Sequence, residues 1–231
     1  MEFKSVMNAS RWTKGRALLA GGLVLGVGAA ATLAAWTDNE WVFGGSGNGD
    51  GTGPGTPGTG IYRMQQNTWT GAAGAAIWSD QPAANGGALT FTIDPGLMVP
   101  GKTVYSPMQL RAVAGSEALD VSLAEGIQSA LNVGADNSTA LYGALTYGVY
   151  KGVTKAACEA GTTGADVVVP AGSALTETSA TTFPLAAGTD ATTAGMPENL
   201  CFALTLPSNA GAALQGLNTV PVWRFTSSVG Q

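Results

Sequence analysis

The sequence of 231 residues contains no histidine. Zinc peptidases hold their metal through neutral imidazoles, and serine or cysteine hydrolases usually take their base from histidine. The acidic residues Asp94, Glu117, Asp120 and Glu125 are spread over predicted strand ends and turns, so they do not form a substitute metal site. We therefore expect no enzyme activity, no cofactor and no metal site.

Charged residues are also scarce, at 11% of the chain. The chain has ten basic and fifteen acidic residues. Residues 1–34 contain four of the basic residues and one of the acidic ones, so the remainder has a net charge of −8. Phosphate neutralisation requires clustered Lys and Arg, which this remainder lacks. We expect no nucleic-acid partner.

Cysteine occurs only twice, at Cys158 and Cys201. An even number of cysteines in an exported chain favours a disulfide, and only one pairing is available within the chain. The chain-entropy model gives roughly 4 kcal/mol for a closed loop of this length. Two buried free thiols and a metal site are the alternatives.

The N-terminus has the order of residue types that is typical of a secretory signal. Four cations precede residues 17–36, a stretch of twenty uncharged residues. The small pair Ala34 and Ala35 suits a signal peptidase, so we predict a signal peptide over residues 1–34. An uncleaved membrane anchor is the alternative, because about 20 apolar residues can span a bilayer.

Residues 44–60 contain nine glycines among seventeen residues and nothing that can build a core. This composition is typical of a flexible linker. It separates a short apolar segment, residues 35–43, from a single predicted domain over residues 61–231.

Short alternating segments between turn residues fill the predicted domain. The pattern predicts an all-β fold, a single antiparallel β-sandwich of the jelly-roll or immunoglobulin-like kind. Short helices could form at 124–133 and 209–217. The candidate strands are 61–66, 88–93, 103–114, 119–123, 145–153, 167–169, 201–206 and 220–225.

Two smaller features have competing interpretations. Trp69, Trp78 and Trp223 either form an exposed carbohydrate-stacking platform or anchor the core, and we favour the core because tryptophans bury large apolar areas. Asn137-Ser138-Thr139 matches a glycosylation sequon, but so short a match is more often an ordinary loop.

Three segments together resemble secreted proteins with the SipW-dependent type of signal peptide, the broad TasA/camelysin family, in the form found in actinobacteria. They are "GAAATLAAWTDNEW", "LMVPGKTVYSPMQLRAVAGSEALDVSL" and "LCFALTLPSNAGAALQGLNTVPVWRFTSS". The resemblance implies a jelly-roll-like sandwich, cleavage by a SipW-type signal peptidase, and assembly into extracellular fibres of the biofilm matrix. The family also carries a metallopeptidase label, which the absence of histidine contradicts for this chain. The linker is longer than in the related proteins.

Two functions remain from different classes. The first is a structural subunit of an extracellular assembly that forms by β-strand exchange between sandwiches, with self-association through Glu40, Trp41, Val42 and Phe43 as the donated strand. The second is a secreted or surface-associated binding module for a glycan or protein ligand. The apolar residues of 35–43 favour the first function, because such a cluster needs a surface that buries it.

Overall fold

The computed structural model describes residues 60–84, 86–92, 95–129 and 137–229. These residues fall within one compact unit, Thr59–Gln231. The sequence predictions for residues 1–59, which include the signal peptide and nearly all of the linker, lie outside the described residues.

The described chain is built from ten strands and two short α-helices. The strands are β1 (Met64–Asn67), β2 (Thr103–Ala112), β3 (Leu119–Leu123), β4 (Ile127–Gln128), β5 (Thr146–Lys151), β6 (Asp166–Ala174), β7 (Phe183–Leu185), β8 (Glu198–Thr205), β9 (Pro221–Val222) and β10 (Phe225–Val229). The helices are α1 (Thr139–Ala144) and α2 (Lys155–Glu159). Three single 3-10 turns lie at Ala72–Gly74, Pro95–Leu97 and Ala212–Leu214.

All strand pairs are antiparallel, so the all-β prediction is confirmed. A five-stranded sheet has the order β1-β2-β8-β5-β6, and a three-stranded sheet has the order β10-β3-β7. Strands β4 and β9 form a separate pair. We call the first two the large and the small sheet.

The two sheets share one apolar core. Strand β3 shows how the sequence builds it, since Leu119, Val121 and Leu123 are buried while the residues between them are half-buried. Phe202 of the large sheet meets Phe225 of the small sheet edge to face, with ring centroids 6.3 Å apart. The sheets therefore pack face to face as a sandwich.

The large sheet is also covered on part of its other face, which we call the outer face. Strand β8 is buried on both sides, because Leu200, Phe202 and Leu204 face the sandwich core while Cys201 and Ala203 face outward. Helix α2 covers the outward pair. Its N-terminus is capped by Thr154, whose hydroxyl accepts a hydrogen bond from the amide of Ala157 (3.3 Å).

Several predicted elements are corrected by the structure. Residues 88–92 are not a strand, although Leu89 and Phe91 pack against the core as the alternation predicted. The predicted helix at 124–133 is contradicted by β4, and the segment 220–225 is divided between β9 and β10. Strands β4 and β7 and both helices were not predicted.

Candidate functional site

An apolar groove of about 1830 Å³ opens between the two sheets. One wall is the inner face of the large sheet near β1 and β2, with Met64, Met108 and Leu110. The opposite wall holds Trp223 and Phe225. Among the described residues, most of the lining comes from the loops after β1 and β8, and the small sheet contributes Phe225 and Ser227.

Strand β10 borders this groove with an open edge. Its residues pair only with β3 within the described residues, from Phe225↔Leu123 to Val229↔Leu119. Phe225 and Ser227 line the groove, and every residue of β10 after Phe225 is exposed. An open edge offers unpaired N–H and C=O groups to another strand.

Trp223, in the wall of the groove, packs against aromatic rings of the large sheet. Trp223 stacks on Tyr147 with centroids 5.5 Å apart, and lies 5.2 Å from the ring of Phe202. The Tyr147 hydroxyl donates to the carbonyl of Glu177 (2.6 Å), and burial raises the pKa of this phenol well above its usual value. The core interpretation is therefore correct for Trp223.

The outer face carries a row of amide side chains across three strands. Asn67 Nδ2 donates to Gln109 Oε1 (2.9 Å), and Gln109 Nε2 donates to Asn199 Oδ1 (2.8 Å). Asn67 Oδ1 accepts from the amides of Trp69 and Ile77, which fixes the loop after β1. These polar residues on β1, β2 and β8 are opposite one another in register.

Two half-buried tryptophans lie beside this row rather than in the core. The Arg111 guanidinium stacks 4.0 Å from the centroid of Trp78, and Lys155 Nζ lies 5.8 Å from that of Trp69. Burial lowers the pKa of Arg111 from its ordinary value. The core interpretation is therefore not supported for Trp69 and Trp78, which pair with cations instead.

The two cysteines meet on the outer face. Cys158 of α2 and Cys201 of β8 are joined in a disulfide with a Cα–Cα distance of 5.5 Å. Both residues are fully buried. The bond fixes α2 on the large sheet, and the described residues contain no free cysteine.

Asn137 of the sequon is a structural residue. Its Oδ1 accepts from Gln128 Nε2 (2.9 Å) and from the amide of Val220 (3.1 Å). Its Nδ2 donates to the carbonyl of Ser129. The side chain thus links the segments around β4 and β9, so the glycosylation interpretation is not supported for the folded domain.

Replacement of this side chain tests its role. Asn137→Ala is expected to lower the free energy of unfolding by about 1–3 kcal/mol, because buried backbone groups lose their partners. Urea denaturation measures the change. The matched control is Asn209→Ala, at an exposed residue, which is expected to change stability by less than about 0.5 kcal/mol. Equal losses in the two variants would contradict the assigned role.

The remaining predicted site residues lie outside the described residues. They are the cleavage pair Ala34 and Ala35 and the donated strand Glu40, Trp41, Val42 and Phe43. Their environment is therefore not described by the structure. Sequence reasoning did not find the groove or the Arg111 cluster, since each combines residues from strands far apart in the chain.

In the described ranges, no three residues among His, Cys, Asp and Glu lie close enough together to hold a metal ion. The helices in the same ranges fall short of the length and apolar character that a membrane span needs. Comparison with family models, curated proteins and solved structures finds no match. The fold and the two surfaces define the class of protein: an all-β sandwich with an open strand edge.

Proposed function

We propose that the chain is a secreted structural protein, a subunit of an extracellular fibre or of a cell-surface or biofilm-matrix assembly. The subunits join by β-strand exchange, in which residues 40–43 of one copy pair with β10 of the next. The chain is not an enzyme in this proposal. The resemblance to the TasA/camelysin family points in the same direction.

The groove beside β10 is the observation that carries the proposal. A strand added to β10 would be the fourth strand of the small sheet, and its inward side chains would enter the groove beside Phe225, which is half-buried. Successive strand residues alternate between the two faces, so Trp41 and Phe43 would face inward together. Val42 and Glu40 would then face solvent.

The linker has the reach that exchange requires. Its seventeen residues, 44–60, give a root-mean-square span of roughly 20–25 Å. The described chain starts at Gly60, and Tyr62 already lines the groove. The same segment can therefore occupy its own groove or that of a neighbour, and protein concentration shifts the balance between the two.

Export precedes assembly in this scheme. A SipW-type signal peptidase cuts between Ala34 and Ala35, and the new N-terminus carries the apolar residues to be buried. Removal of the signal thus couples secretion to the release of the donor segment.

Electron microscopy and sedimentation of the purified exported chain test the proposal. Fibres or oligomers that dissociate on dilution are the expected result. A monodisperse monomer at all concentrations would contradict exchange and favour the alternative, a secreted or surface-associated binding module.

A further inference from the structure

We propose that the outer face of the large sheet binds an acidic saccharide, with Arg111 holding the carboxylate of a uronic acid residue. This site is separate from the groove and from β10. It therefore goes beyond the proposed assembly function and does not depend on it.

Arg111 is half-buried and has no acidic partner among the described residues. Three other described cations form ion pairs: Arg63 with Asp80, Lys151 with Asp166, and Lys155 with Glu159. Arg111 makes one hydrogen bond, from Nη2 to the neutral amide oxygen of Gln65 (3.2 Å). A partly desolvated charge is stabilised when an opposite charge pairs with it, so an anion from outside the chain fits this position.

Trp78 fixes the guanidinium in a defined plane. The Cζ atom lies 4.0 Å from the ring centroid, Nη2 is hydrogen-bonded to Gln65, and Nε is buried, so the outer end of the guanidinium at Nη1 faces other partners. Nη1 makes no hydrogen bond within the described residues. A planar guanidinium edge matches a carboxylate through two parallel hydrogen bonds.

Asn199 supplies a second donor on the same face. Gln109 is opposite Asn199 in the register, so Arg111, two residues further along β2, is its diagonal neighbour. Diagonal positions on a sheet are about 7–8 Å apart. Because the Arg111 side chain extends towards Gln65 and Trp78, the ligand has to span more than this distance, as an oligosaccharide can. Because Asn199 Oδ1 accepts from Gln109 (2.8 Å), its Nδ2 stays available for a hydroxyl oxygen.

The surrounding groups favour a saccharide over an acidic peptide. Asn67 is fully buried and both amide groups of Gln109 have partners, so Asn199 is the amide of the row that a ligand can reach. A neutral amide donor beside one cation suits a hydroxyl-bearing saccharide with a single carboxylate. The chain has a net negative charge, −5 in full and −8 without residues 1–34, so a polyanion is expected to bind only where it makes such specific contacts.

Binding of polygalacturonate to the full chain, measured by calorimetry, tests the site. We expect saturable binding that Arg111→Gln weakens at least tenfold and Arg111→Lys weakens severalfold, because lysine lacks the planar fork. The charge-matched control is Lys102→Gln, at an exposed residue near the other end of β2, which should change affinity less than twofold.

Three competing ligands separate the sources of the anion. Fully methyl-esterified polygalacturonate should bind at least tenfold more weakly than the acid form. Polyphosphate or poly-L-glutamate binding as tightly as polygalacturonate would overturn the uronate assignment, in favour of a phosphate or an acidic peptide. Absence of any polygalacturonate binding would overturn the site.

A second variant tests the saccharide site if Arg111→Gln does not fold. Asn199→Asp keeps the oxygen that accepts from Gln109 but replaces the free N–H donor with a carboxylate beside the ligand. It is expected to fold, as checked by circular dichroism, and to bind polygalacturonate at least tenfold more weakly. Unchanged affinity in this variant would contradict the proposal.

Discussion

Deletion of residues 35–43 is expected to abolish assembly while leaving the sandwich folded. The core clusters of the described residues are formed by residues after Gly60, so the sandwich is expected to fold without the donor segment. The groove and the edge of β10 would then stay open in every copy. Sedimentation and electron microscopy, with circular dichroism as the check of folding, compare the deleted chain with the exported chain. Fibres that form equally readily from both would contradict strand donation.

Substitutions in the donor segment test whether its side chains alternate between the groove and solvent. Full burial of a large apolar side chain stabilises by about 1.5–3 kcal/mol. Loss of both Trp41 and Phe43, each replaced by threonine, should therefore weaken subunit association by roughly 10²- to 10⁴-fold, since each 1.4 kcal/mol is tenfold. Val42→Thr is the matched control, and its effect should be less than about tenfold because this side chain faces solvent.

The acceptor is tested by adding the donor in trans. A synthetic peptide of residues 35–43, mixed with the deleted chain, is expected to protect the backbone amides of β10 from hydrogen exchange. The amides of β6, at an edge of the large sheet, serve as the internal control and should not change. Protection of β6 instead of β10 would place the acceptor on the large sheet and contradict the proposed pairing with β10. A scrambled peptide should protect neither strand.

Removal of the disulfide is expected to lower the stability of the domain substantially. Cys158 and Cys201 are 43 residues apart in the sequence, and a crosslink of this span restricts the unfolded chain by about 4 kcal/mol in the chain-entropy model. For a domain of this size the corresponding fall in melting temperature is roughly 8–16 °C. Calorimetry of Cys158→Ala/Cys201→Ala against the parent chain measures it.

Reductant provides the control for this experiment. Dithiothreitol should lower the melting temperature of the parent chain towards that of the double variant, and should leave the double variant unchanged. The amides of α2 should exchange earliest after reduction, because the bond holds this helix on β8. Two alkylatable thiols in the non-reduced protein would contradict the disulfide.

Local sequence patterns predicted a strand correctly where its own residues define a buried face. The segment 119–123 was predicted with the bounds of β3, since alternating Leu, Val and Leu define a buried face without reference to any partner. Segment 88–93 has the same alternation, but its backbone runs beside β2 with few contacts, such as Thr92 N to Tyr105 O (3.0 Å). The inward side chains of Leu89 and Phe91 were thus predicted correctly, the strand hydrogen bonds were not, and Ile93 lies outside the described residues.

Long-range pairing accounts for the elements that were missed. Ile127 and Gln128 looked helical in the sequence, but they pair with Val222 and Pro221, more than ninety residues later. Strand β7 has only three residues and depends on β3 for its pairing. Such pairings depend on partners that no local window contains.

The sequence by itself determined the all-β class, the single disulfide pairing and the inward side of several strands. Each follows from local chemistry: alternation of side chains, turn residues, and the presence of only two cysteines. The tertiary structure alone decided that β10 borders an open groove and that Arg111 contacts Trp78 with no acidic partner among the described residues. These features depend on which strands are neighbours and on how the loops pack beside them. Both are properties of the packed sheets rather than of any single segment.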